Sequence, residues 1–444
     1  MRPPWSDPEV SAVNIPPPAQ ELFDSEEAMS LPAMAAFQVR AINRALKRAA
    51  SLPFYSRVFA EAGGVPRTVG SFDEYASRVP AVRKADIVAA TREAGSARSG
   101  IEALGRRRVT NVVMTSGTLG FNTFAFLTRH DLMGSSFRNG LRELWSVKVR
   151  PGMRVLTLSP AWHALALLDT RALTAIGAEV VVPWGTFAPR FVPNFLEAVR
   201  LHRPEHILLT APVLRGMLEQ SERRGLDERE WFASVRYVAC AGESLSPSYR
   251  RHVIDRLGLE DLFERGGSSD GMFGGGECFA HRGHHISADL HYVEVVDTSD
   301  GSLLPPGKRG TSVVTNLSGG RSVYIRFNTE DVAAIIPGEC PCGRTDPVLE
   351  FYGRLADSVI LPDRIVTPAD IRAVLDTFPA LMAQPFSGER ADATEVRVRL
   401  ATACEDDLLA EASVALRREL GIEATVVVDN ALAVGWKGQA MRGA

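Results

Sequence analysis

Between residues 154 and 257 the chain alternates short apolar runs with amphipathic stretches. No other feature constrains the fold as much. The runs at 154–158, 178–182, 206–210 and 235–241 have the length and aliphatic content of buried strands. The stretches 164–176, 192–201, 212–224 and 247–257 follow them with helical spacing. A helix between successive strands returns the chain to the edge it started from, so neighbouring strands run parallel. The expected class is α/β with a mostly parallel sheet.

The pattern changes near residue 285. Short strands are expected at 291–297, 311–317, 324–327 and 331–336, parted by Gly and Pro turns, which is the signature of an antiparallel region. Beyond Gly353-Arg354 a small α/β segment is expected, with helices at 368–378 and 406–420 and strands at 395–401 and 424–428. Upstream, residues 1 to about 30 are rich in Pro and acidic residues and read as an extended lead-in. Residues 34–62 are helical, broken at Ser51-Leu52-Pro53, and Ser71 is placed to cap the next helix. At 444 residues the chain exceeds a single core. We divide it at 1–354 and 355–444.

Bulk charge narrows the partners. A formal charge of −3 makes no electrostatic case for nucleic acid. No apolar run spans a bilayer, and Met1-Arg2-Pro3-Pro4-Trp5 lacks the apolar core of a signal peptide, so a cytoplasmic protein is expected. Five cysteines, an odd count, suit thiols or metal ligands better than a disulfide framework. Cys278 and His285, then Cys340-Pro341-Cys342, make three thiols and an imidazole, a donor set for structural zinc. His281 or His284 stands close enough to substitute for His285. Cys240 and Cys404 read as buried core thiols.

Two further places carry chemistry. Thr115-Ser116-Gly117-Thr118-Leu119-Gly120 lies between apolar runs at 112–114 and 121–127 that read as a hairpin. Its glycines and hydroxyls suit a polyphosphate, although no Gly-Lys-Ser/Thr follows as in a Walker loop. Trp162-His163 follows a strand end, where open α/β sheets place ligands, and so is a candidate for the substrate pocket.

Taken with these, seven stretches in order give the chain a resemblance to the phenylacetate–CoA ligase branch of the adenylate-forming enzymes. Ser51-Leu52-Pro53-Phe54-Tyr55 and Val79-Pro80-Ala81-Val82-Arg83-Lys84 resemble its N-terminal signatures. Residues 115–120 are similar to its phosphate loop, and Ala241-Gly242-Glu243-Ser244 to the stretch that lines adenine. Gly267-Ser268-Ser269-Asp270 resembles the motif that supplies a magnesium ligand, here Asp270. Arg326-Phe327-Asn328-Thr329-Glu330-Asp331 resembles the run whose last Asp grips the ribose. Gly353-Arg354-Leu355-Ala356-Asp357 resembles the hinge into a small mobile C-terminal domain, near whose end Lys437 matches the lysine that acts in adenylation.

The resemblance implies an AMP-forming ligase that uses ATP and Mg2+ to activate a carboxylic acid, aromatic by preference, to an acyl-adenylate. It also implies structural Zn2+ at Cys278, His285, Cys340 and Cys342, and a homodimer. The acceptor is CoA in the first instance. An amine or a carrier-protein thiol stays open, as does an oxyanion such as nitrite in place of the acid, and so does a nucleotide-binding member without turnover. The chain departs from the family pattern at Phe121-Asn122, Gly266, Asp270, Ala356 and Asp363. At Gly266 the family carries the aromatic that stacks on adenine.

Overall fold

The computed structural model describes residues 15–17, 19–95, 109–114, 124–158, 164–185, 189–268, 273–318, 322–361, 364–390, 395–401, 404–429 and 439–442. Helices α1 (Leu31–Ala49), α2 (Pro53–Glu61) and α3 (Phe72–Arg78) open the chain. Ser71 caps α3 as expected, its side chain accepting from the Glu74 N–H at 3.1 Å. Strand β1 (Val82–Arg83) and helix α4 (Lys84–Glu93) lead to the antiparallel pair β2 (Val109–Met114) and β3 (Phe124–Thr128), then to α5 (Ser136–Ser146).

The alternating region follows: β4 (Arg154–Thr157), α6 (Ala164–Ile176), β5 (Glu179–Val181), α7 (Val192–His202), β6 (His206–Thr210), α8 (Ala211–Arg223), α9 (Glu228–Trp231), β7 (Tyr237–Ala241), α10 (Pro247–Leu257), β8 (Asp261–Ser268) and β9 (Phe273–Gly276). The strands form one sheet in the order β5-β4-β6-β7-β8-β9, parallel except for β9. Period-two burial shows why. Ile207, Leu209, Val238, Cys240 and Leu262 join a core with α7, α8 and α10, while Leu208, Ala239 and Phe263 face a second core with α5 and α6. Apolar side chains on both faces leave neither open to water.

The remaining strands are β10 (His284–His285), β11 (His291–Val296), β12 (Gly310–Asn316), β13 (Phe327–Ile336) and β14 (Val348–Arg354). They form a second sheet, antiparallel in the order β10-β14-β13-β12-β11, and β1 joins β13 in parallel. The strands expected at 324–327 and 331–336 are therefore not separate. Residues 327–336 are one strand, kinked at Glu330, whose φ of 61° is held by the Asn328 side chain accepting its N–H at 2.9 Å. The chain ends with the ribbon β15 (Val359–Ile360) and β16 (Ile365–Val366), then α11 (Pro368–Leu375), β17 (Phe386–Arg390), β18 (Glu395–Leu400), α12 (Asp406–Leu420), β19 (Glu423–Val428) and β20 (Gln439–Arg442). The last sheet runs β19-β18-β17-β20 over a core that, among the described residues, is drawn from 359–426.

The lead-in differs from the extended segment expected. Residues 25–28 form a short helix, Phe23 is buried against Trp145, and Glu27 is 1% exposed. No helix among the described residues is long and apolar enough to cross a membrane.

His206, at the start of β6, is fully buried with Nε2 2.8 Å from the Val147 carbonyl. Burial pushes its imidazole down to about 4 from an ordinary 6.5, despite that carbonyl. Above pH 6.5 both folded and unfolded chains hold it neutral. As pH falls from 6.5 to 4 only the unfolded chain takes up the proton, so stability is lost across that window, by up to about 3 kcal/mol. His206→Gln keeps a donor toward Val147 and is expected to flatten the slope between pH 7 and 4.5 in urea titrations. An unchanged slope would overturn the assignment.

Candidate functional site

Strands β4, β6, β7 and β8 run parallel, so their carboxyl ends share one edge of the sheet, where loops can meet a ligand. Ala241 ends β7 there, and Gly242 turns the chain with φ of 93°, a conformation glycine adopts freely. Glu243 then points back to Arg215 on α8, at 2.7 Å and nearly buried. Ser244 donates to the Phe351 carbonyl of β14 at 2.8 Å, and the Leu245 N–H donates to Glu264 at 3.0 Å. This stretch thus joins the parallel sheet to the antiparallel one.

Three residues further along β14, Arg354 Nε lies 3.0 Å from Asp331 Oδ1, and its Nη1 donates to the Thr329 carbonyl at 3.1 Å. Asp331 is 9% exposed and faces Arg354 in the β13–β14 register. Arg326, five residues earlier, has a packing role instead. Its guanidinium is buried on Glu294 at 3.0 Å and on the carbonyls of Ala76 and Val79. Thr115, Ser116, Gly117, Thr118, Gly120, Trp162, His163, Ser269, Asp270 and Lys437 lie outside the described residues. Strands β2 and β3 bracket 115–123, and β8 and β9 bracket 269–272.

Gly266 sits in β8 opposite Gly275, where a side chain has no room. A Cβ there would lie 2.8 Å from both His284 Nε2 and Phe351 Cδ2. The His284 ring of β10 and the Phe351 ring of β14 occupy that space.

Cys278 follows β9, His285 belongs to β10, and Cys340 and Cys342 occupy the loop between β13 and β14. All four are buried, and their ligand atoms lie within 4.8 Å of one another. Cys278 Sγ is 3.5 Å from Cys340 Sγ, and Cys342 Sγ is 3.4 Å from His285 Nε2. Tetrahedral zinc with bonds near 2.3 Å to sulfur and 2.0 Å to nitrogen sets its ligands about 3.5–3.8 Å apart, so the donor set and spacing fit that ion. Hydrogen bonding within the cluster holds the Cys342 thiol well below its ordinary range and pushes Cys278 up. His285 is the ring in the cluster. His281 instead bonds Asp261 and Glu277, and His284 faces the Leu349 carbonyl. Of the other two thiols, Cys240 is buried as expected and Cys404 is half-buried.

Beneath both places lies a buried charge cluster with no signal in sequence spacing. Arg250 bonds Glu264 at 3.0 Å and Glu277 at 2.8 Å, and the Glu264 N–H donates to Glu277 at 2.7 Å. Burial and the neighbouring Glu277 push the Glu264 carboxyl up to about 8. Against burial, His281 and Arg250 hold Glu277 low. Glu264 carries Leu245, and Glu277 precedes Cys278, so one cluster supports the candidate nucleotide stretch and the thiol cluster together.

Comparison with known proteins gives the chain a family. The model of the AMP-binding enzyme family matches residues 68–318, more than half of the chain. The phenylacetate–coenzyme A ligase of Thermus thermophilus is 29% identical over 341 residues, covering 74% of this chain and 72% of that protein. That of Pseudomonas putida is 25% identical over 400 residues, 86% of each. Among solved structures, a 2-hydroxyisobutyryl-CoA ligase in the postadenylation state superposes with a TM-score of 0.81 at 22% identity, covering 97% of this chain and 94% of that one. At that identity the likeness is one of fold. The chain belongs to the AMP-binding enzyme family, within its phenylacetate–CoA ligase-like branch of ATP-dependent, AMP-forming ligases.

Proposed function

We propose that this ligase activates a small carboxylic acid, aromatic by preference, as its acyl-adenylate and passes the acyl group to CoA. The observation that carries the reading is the Ser244 bond to β14, which ties the Ala241–Gly242–Glu243 stretch to the strand whose Arg354 pairs with Asp331. We assign the Asp331 carboxylate, oriented by Arg354, to the two ribose hydroxyls. Arg354 is then a positioning residue. The flat surface for the base comes from Ala241 and Gly242, with Phe351 in the space before Gly266.

The loop of Thr115, Ser116, Gly117, Thr118 and Gly120 supplies donors to the phosphates, as its composition suits. Asp270 holds magnesium, with Ser269 beside it. When bound there, magnesium would supply positive charge for the phosphate that the carboxylate attacks. Lys437 is the cation this chain itself brings to that charge. Trp162 and His163 line the acid pocket. We place the boundary between the two units at 354/355, which the separate core of residues 359–426 supports.

Exchange of labelled pyrophosphate into ATP, run across a panel of aryl and alkyl acids without acceptor, is expected to depend on the acid. Asp331→Ala should lose nucleotide binding and exchange together. ATP binding without exchange for any acid, with or without CoA, would overturn the adenylation reading.

We also assign Cys278, His285, Cys340 and Cys342 to one structural zinc ion, which would tie β9 and β10 to the β13–β14 loop. Elemental analysis of protein purified without added metal should find about one zinc per chain, and less than a tenth of that in Cys342→Ser. A zinc-free wild type that takes up none would refute it.

A further inference from the structure

The loop that carries Cys340 and Cys342 also holds the start of the chain. Arg344 is 3% exposed and donates through Nε to Glu27 Oε1 at 2.7 Å and through Nη2 to the Glu21 carbonyl at 2.7 Å. The Thr345 N–H donates to the Glu27 carbonyl at 2.8 Å, and its hydroxyl to the Met29 carbonyl at 2.7 Å. The other oxygen of Glu27 accepts the N–H groups of Phe23 and Asp24. On its far side the same segment meets α5: Asp24 bonds Arg142 and Arg138, each at 2.8 Å, and Trp145 Nε1 donates to the Gln20 carbonyl at 2.8 Å. Residues 20–29 thus form a strap between the thiol loop and α5.

Arg344 belongs to the thiol loop and bonds the strap. Its Nη1 is buried with no hydrogen-bond partner, and the Cys342 sulfur, two residues back in the chain, favours the charged guanidinium. A thiolate bound to a metal keeps negative charge and accepts hydrogen bonds well, whereas a neutral thiol accepts weakly. Outer-shell donors of this kind orient a ligand and raise metal affinity. Once Arg344 is fixed on Cys342, it is also fixed for Glu27.

We propose that Arg344 couples the metal centre to the strap, so that metal binding and the docking of residues 20–29 stabilise one another. The inference rests on the zinc reading above. Linkage makes the effect reciprocal: what loosens the strap weakens the metal by the same factor. The glycine after Cys342 serves this geometry, since Gly343 has φ of 84° and turns the chain so that Arg344 follows directly on the ligand.

The test uses the full chain loaded with zinc, and zinc release to a chromogenic chelator is its first readout. Glu27→Gln and Arg344→Met are expected to weaken zinc retention by about 10- to 100-fold. Glu93→Gln, in a surface pair with Arg57 away from the strap, should release at the wild-type rate. The second readout needs no variant. Hydrogen exchange of the wild type before and after zinc removal should show faster exchange at Phe23, Asp24 and Thr345, with α1 unchanged. Zinc bound but strap exchange unchanged on its removal, or Glu27→Gln releasing zinc at the wild-type rate, would overturn the coupling while leaving the metal site standing. A chain that binds no zinc would overturn the metal site itself, and the coupling with it.

Discussion

Everything that gathers at the carboxyl edge of the parallel sheet rests on Arg250 and its two carboxylates. Two acids and one guanidinium lie in the interior, and only mutual pairing makes that tolerable, because an isolated buried charge costs several kcal/mol. The strength of the arrangement lies in what hangs from it. Glu264 reaches the backbone after the nucleotide stretch, and Glu277 precedes the first thiol. Neutralising Arg250 would leave two acids facing each other, and both loops would move with them. The cluster contributes position more than stability.

The second constraint is steric. Strands β8 and β9 pair through Gly266, Gly267, Gly274 and Gly275, and the antiparallel sheet lies across them. A Cβ at Gly275 would lie 2.0 Å from the His285 carbonyl, and one at Gly267 would lie 2.4 Å from the Gly274 Cα. A ribbon without side chains lets the two sheets approach until His284 and Phe351 sit where side chains of β8 would be. The same closeness brings His285 to the thiols.

How much of this the sequence disclosed follows from which contacts are local. The alternation at 154–257 needs only period and length, and the parallel strands there match it. The thiol–imidazole set was legible because its donor types are rare, although the choice among three histidines needed the fold. Strands β8 and β9 were not legible, since glycine carries no strand preference and no alternating side chains. The Arg250 cluster and the strap were hidden because their partners lie far apart in the chain. Acidic residues near the start look solvated until Arg138, Arg142 and Arg344 come to meet them. Gly266 is the instructive case: read alone it is an empty position, whereas in the fold rings from β10 and β14 fill the space before it.

Two polar contacts of different kinds join α11 and the Asp376 that follows it to residues before 355. Ser246 donates to Asp376 at 2.6 Å in a buried place, while Arg309 meets Asp370 at 2.9 Å with a third of its side chain exposed. Salt screens an exposed pair over about 8–10 Å at ordinary ionic strength and reaches a buried hydrogen bond hardly at all. The seat of this helix is therefore graded: one anchor follows the ionic composition of the surroundings, and the other ignores it. Ionic strength becomes a dial that trims how firmly α11 is seated without unseating it.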